Sequence, residues 1–101
     1  MITPKVKQTS AKTPKEVIYK VVWKNTALKQ LTKIDKKIAE KLTDKVETYL
    51  AKDPISRGKR LLYDYKGFYR YRCDDYRVIY EIKNQELVIS VVKVGHRREV
   101  Y

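Results

Sequence analysis

The chain of 101 residues carries one cysteine and one histidine. A single thiol excludes an internal disulfide and a thiolate zinc site. Transition-metal centres need several His, Cys or carboxylate ligands, so no metal and no other cofactor is expected. No apolar run is long enough to span a bilayer, and no basic amphipathic helix shows a bulky aromatic face that would lie on one. The expected partners therefore include no membrane. The N-terminus is polar and lysine-rich, without the apolar stretch of a signal peptide, so a cytoplasmic location is expected. Acidic residues are also few: 12 Asp+Glu stand against 24 Lys+Arg, a formal net charge of +12. That excess repels itself, and solubility does not require it. It points to a polyanionic partner, nucleic acid first and an acidic protein second.

The length suits one domain with one core. Residues 1–15 read as a flexible basic tail, with Lys5, Lys7, Lys12 and Lys15 among Thr, Ser and two prolines. Residues 16–101 read as a single domain. Val17, Tyr19, Val21 and Trp23 alternate with their neighbours as in a strand. Asn25 or Thr26 is placed to cap the helix that follows, which carries Leu28, Leu31 and Ile34. After a break near Asp35, the apolar positions Ile38, Leu42, Val46, Tyr49 and Leu50 predict an amphipathic helix ending before Asp53-Pro54. Residues 54–67 read as an irregular loop. Strands are expected over 68–73, 76–83 and 87–92, with Gly95 closing the last. The apolar run from Leu87 to Val92 has no clean alternation and suits a central strand buried on both sides. The order β-α-α-β-β-β predicts a two-layer α+β fold: an N-terminal strand, a helical hairpin, then a three-stranded antiparallel meander that completes the sheet.

Arginine occupies strand positions that ordinarily favour apolar or β-branched residues. With Asp74-Asp75 as a two-residue turn, Cys73 faces Tyr76 and Arg72 faces Arg77. Arg70, Arg72 and Arg77 then project from one face, while Tyr69 and Tyr71 point to the other. Like charges opposite each other destabilise a hairpin, so this grouping suggests an anion ligand.

Phe68-Tyr69-x-Tyr71-Arg72, Asp75-Tyr76-Arg77-Val78-Ile79-Tyr80 and Val94-Gly95-His96-Arg97-Arg98-Glu99-Val100-Tyr101 resemble the closing segments of RelE-type toxins of the RelE/ParE toxin–antitoxin superfamily. The resemblance runs from about Val17 to Tyr101. It implies a RelE-like microbial ribonuclease-type fold and a metal-free, ribosome-dependent endoribonuclease. Such a toxin cuts mRNA in the ribosomal A site, with the 2′-OH attacking the adjacent phosphate, and is silenced by a cognate antitoxin. The implied partners are that antitoxin, mRNA, and the ribosome with its RNA. Arg77 matches the arginine that stabilises the charged phosphorane, and Arg97 a second arginine for charge or for the leaving oxygen. Tyr101 matches the tyrosine on which a base stacks. Arg70 and Arg72 stand where RelE carries two lysines that activate the 2′-OH. A guanidinium stays protonated, so these two hold phosphate and favour an ionised 2′-OH rather than accept its proton. His96 is either the general acid, the base by default, or a residue that only closes the turn after Gly95. Lys59, Arg60, Lys66 and Arg98 are expected RNA contacts, because positioning phosphate needs charge and little else. Two alternatives stand beside the nuclease: a ParE-like inhibitor of DNA gyrase, and a non-cutting homologue that binds RNA or antitoxin.

Overall fold

A computed structural model of the chain describes residues 18–97. The predicted tail, Arg98 and Tyr101 lie outside the described residues. Strand β1 (Lys20–Trp23) leads into helices α1 (Asn25–Thr32) and α2 (Lys36–Asp44). Asp35 sits at the predicted break and caps α2, its carboxylate accepting from the Lys37 amide at 3.1 Å. The expected cap of α1 moves: the helix starts at Asn25 itself, and the residue before it, Lys24, offers no side-chain bond.

The second helix is less regular than its pattern suggested. Beyond Asp44 it continues as a wide π turn over Lys45–Tyr49 and a tight 3-10 turn over Leu50–Lys52. The physical reason lies in the spacing. Ile38, Leu42, Val46 and Leu50 recur at strict intervals of four, and each such step overshoots the regular helix by about 40°. A wider turn takes up the drift and keeps Val46 and Leu50 fully buried. Tyr49, expected on the apolar face, is carried out to 44% exposure.

Residues 54–67 are more ordered than the expected loop. Pro54 opens helix α3 (Pro54–Arg57), where a missing amide does no harm, and the Asp53 carboxylate caps it through the Ser56 amide at 3.3 Å. Strand β2 (Lys59–Arg60) follows, then a 3-10 turn over Tyr63–Tyr65. The meander is β3 (Tyr69–Cys73), β4 (Tyr76–Lys83) and β5 (Val88–His96). Gly95 does not end β5; it pairs with Arg77 inside the ladder, and His96 pairs with Tyr76.

The five strands form one sheet in the order β1-β5-β4-β3-β2. The run predicted as central is central: β5 lies parallel to β1 on one side and antiparallel to β4 on the other. Its pairing slips between Ile79 and Tyr80, which face Lys93 and Val91 and leave Val92 as an extra residue. One sheet face packs on the helices through Tyr71, Val78, Tyr80, Ile89, Val91 and Val94 against Ala27, Leu42, Val46 and Leu50. On the opposite face, Leu61, Tyr65 and Phe68 fold back over Ile79 and Val92. That second cluster leaves the end of the sheet near the β3–β4 turn open for the arginines.

Candidate functional site

The hairpin register is the one that the residue pattern predicted: Cys73 opposes Tyr76 and Arg72 opposes Arg77. Asp74 takes a positive φ of 55°, which a short polar side chain tolerates in a tight turn. Arg72 is exposed, whereas Arg77 is half-buried and its Nη1 is enclosed by protein. Tyr69 and Tyr71 take the helix-covered face, as parity required. Arg70 is flanked by Lys59 on β2 and Ile79 on β4. Paired residues of adjacent strands point the same way, so Lys59, Arg70, Arg72 and Arg77 share the open face. Where β2 begins, Arg57, Gly58, Lys59, Arg70, Tyr71 and Arg72 line a depression of ≈ 320 Å³.

Arg97 follows the last strand residue, is exposed, and donates its backbone amide to the Asp75 carbonyl at 2.7 Å. This bond holds it beside the turn that carries Arg72 and Arg77. His96 goes elsewhere. It pairs with Tyr76 on the helix-covered face, and the two rings meet edge-on with centroids 5.5 Å apart. There it lines a cavity of ≈ 510 Å³ with Gln30, Lys33 and Ile34. Arg60 pairs with Tyr69 and so takes the opposite side from Arg70. Lys66 is exposed just past the Tyr63–Tyr65 turn.

The loop behind this face is held by one buried phenol. Tyr80 Oη donates to the Pro54 carbonyl at 2.7 Å, tying α3 and the start of β2 to the middle of the sheet. Burial pushes its pKa far above the phenolic range. Burial likewise lifts the Tyr71 phenol and the Cys73 thiol, so neither supplies a base or nucleophile near neutral pH. No group of three or more His, Cys, Asp or Glu side chains suited to a metal ion occurs among the described residues. Likewise, no helix among them is long and apolar enough to cross a membrane.

One position escaped the residue pattern. Arg57 lines the depression, and its signal was its place in the basic run Arg57-Gly58-Lys59-Arg60. Tyr63 stands 91% exposed at the head of the turn that follows β2.

The two-layer α+β body, with its N-terminal strand, helices and antiparallel meander, is a fold that known toxins share. Residues 21–101 match the family described as ParE toxin of type II toxin–antitoxin system, parDE, and the chain belongs to this family of RelE/ParE toxins. Toxin RelG of Mycobacterium tuberculosis is 26% identical over 83 residues, which cover 82% of this chain and 95% of that protein. A putative RelE-like toxin protein of Escherichia coli is 31% identical over 81 residues, covering 78% and 83%. Among solved structures, the toxin–antitoxin complex RelBE2 of M. tuberculosis superposes with a TM-score of 0.78 at 26% identity, over 82% of this chain and 95% of that one.

Proposed function

We propose that this toxin is a ribosome-dependent mRNA endonuclease that cuts in the A site by attack of a ribose 2′-oxygen on the adjacent phosphorus. The observation that carries the reading is the facing pair Arg72 and Arg77, with Arg70 and Lys59 on the same side of the sheet. Two guanidiniums placed opposite each other, one partly enclosed, concentrate positive charge on one spot of the sheet and so attract a phosphate. As the bond from the 2′-oxygen to phosphorus forms, charge gathers on the non-bridging oxygens, and Arg72 and Arg77 stabilise it. The same field lowers the pKa of the 2′-OH, so water accepts its proton. The bond from phosphorus to the 5′-oxygen breaks, Arg97 stabilises the departing oxygen, and water returns a proton to it. A cyclic phosphate remains on one fragment and a 5′-hydroxyl on the other. His96, across the sheet from the arginines, holds the end of β5 against Tyr76 rather than moving a proton. Tyr101 stacks a base, Arg60, Lys66 and Arg98 contact ribosomal RNA, and a cognate antitoxin silences the toxin. The protein acts in the cytoplasm as one domain over residues 16–101, behind a basic tail.

The match to a family described by ParE favours a second reading, inhibition of DNA gyrase. One induction experiment separates the two. Mapped mRNA 5′ ends within ribosome-bound codons, with plasmid supercoiling intact, support the nuclease. Intact mRNA with gyrase-linked DNA breaks supports the other. On the first reading Arg77→Ala lowers the cutting rate by about 10²–10³ while the thermal transition stays near that of the parent. Growth arrest at full rate in Arg77→Ala cells would remove the proposed site.

A further inference from the structure

Arg57 closes α3 and lines the depression beside β3, yet the cleavage just described makes no use of it. Its guanidinium carbon lies 4.1 Å from the centroid of the Tyr49 ring, and its Nη1 donates to the Tyr49 carbonyl at 2.7 Å. Tyr49 is braced in turn by the Tyr71 ring, 6.1 Å away between centroids. A surface arginine ordinarily keeps most of its rotamer freedom. This one is fixed at its face and at one nitrogen, while its remaining N–H donors stay available. The wide turn at Lys45–Tyr49 brings Tyr49 out to meet it, and π turns of this kind recur at functional sites. None of the residues lining the depression is acidic.

From this we infer that the depression is a second phosphate subsite on the RNA path, next to the phosphate held by Arg72 and Arg77, with Arg57 as its fixed guanidinium. The inference rests on the proposed action on RNA. Tyr71 points to the helix-covered side, so Arg57 meets the depression at the edge of β3, while Arg70 and Arg72, ~6.6 Å apart on that strand, reach it from the open face. A guanidinium held flat on a ring presents its edge to phosphate oxygens in a two-pronged contact, which an ammonium cannot reproduce.

The test uses the full-length protein and fluorescent RNA oligonucleotides of increasing length, with deoxyribose at the cleaved position to block cutting. Arg57→Ala is expected to weaken binding of the longer strands about tenfold and to lower their salt slope by ~0.7, one phosphate's share. The shortest strand, confined to the Arg77 site, binds both proteins alike. Arg57→Lys restores the charge but only part of the affinity. Unchanged affinity at every length, or equal loss on the shortest strand, overturns the subsite. DNA strands bound as tightly and with the same dependence on Arg57 overturn its assignment to RNA.

A second measurement separates this inference from the cleavage reading. The Arg57 Nε–H resonance is followed while pyrophosphate is added. A saturable shift in a protein whose induction leaves mRNA uncut means that the cleavage reading fails and the anion site stands. An unmoved resonance removes the site. Circular dichroism of Arg57→Lys and Arg57→Ala confirms that each variant is folded when measured.

Discussion

Tyr80 and Gly58 show how tightly single atoms constrain this fold. A Cβ at Gly58 would stand 1.7 Å from the Tyr80 hydroxyl oxygen. That oxygen is buried and bonded to the Pro54 carbonyl, so it has nowhere to retreat. Gly58→Ala is expected to destabilise the protein by about 2–3 kcal/mol, as over-packed cores do. Tyr80→Phe removes the hydroxyl but leaves the Pro54 carbonyl without its donor, at about 1–2 kcal/mol. In the double variant the closest clash is gone, so the two losses sum to more than the measured total. Denaturant titration of the three variants reads this directly; strict additivity would mean that the two residues do not meet as described.

Among the elements, β5 carries the least obvious device. Its slip at Val92 turns the residues that follow. Counting by twos from the buried Val91 would put Lys93 and Gly95 on the helix side. With the extra residue, Val94 and His96 take that side instead, and Gly95 faces out beside Arg77. The Val94 amide is satisfied from outside the sheet: the Gln30 side-chain oxygen on α1 accepts from it at 2.6 Å. Gln30→Ala removes that acceptor and is expected to cost about 1–2 kcal/mol, with a matching fall in the hydrogen-exchange protection of the Val94 amide. Gln30→Glu keeps an acceptor and loses less. Unaltered exchange at Val94 in Gln30→Ala would show that water serves there equally well.

These elements also show what the residue pattern could carry. The Asp74-Asp75 turn fixes a two-residue hairpin, and parity alone then yields the Arg72–Arg77 pairing and the shared face of Arg70. Parity fails beyond the slip, because no residue type announces an extra position in a run of valines. For that reason the face of His96 was not legible. Strand β2 was hidden too, since two lysine and arginine residues have no alternation to read. Arg57 became a candidate only when the wide turn brought Tyr49 against it, a meeting between segments that no local pattern encodes.

Across the described protein, several titrating groups lean the same way. Burial lifts Cys73 above its ordinary 9.0 and Tyr71 above 10.0, and lifts Tyr80 further. The hydrogen bond and charge of Asp74, 2.8 Å away, raise Lys41 above 10.5. Each group therefore keeps its proton to higher pH when folded than when unfolded. Stability from these groups is complete below about pH 9 and is lost as pH rises through the folded values, where the unfolded chain binds fewer protons. The denaturation midpoint is expected to fall steadily from about pH 9 to 11. A midpoint that holds or climbs over that interval would contradict the burial of Cys73 and Tyr80.

The order of the strands has a consequence for biogenesis. The first strand waits for the last: Lys20 to Trp23 find their partners only when residues 88–91 have been made. The same late segment supplies the neighbour of Arg77. Until β5 has been made, β1 has no strand to pair with and Arg77 lacks its neighbour Gly95, so the sheet closes around its most sequence-distant contact.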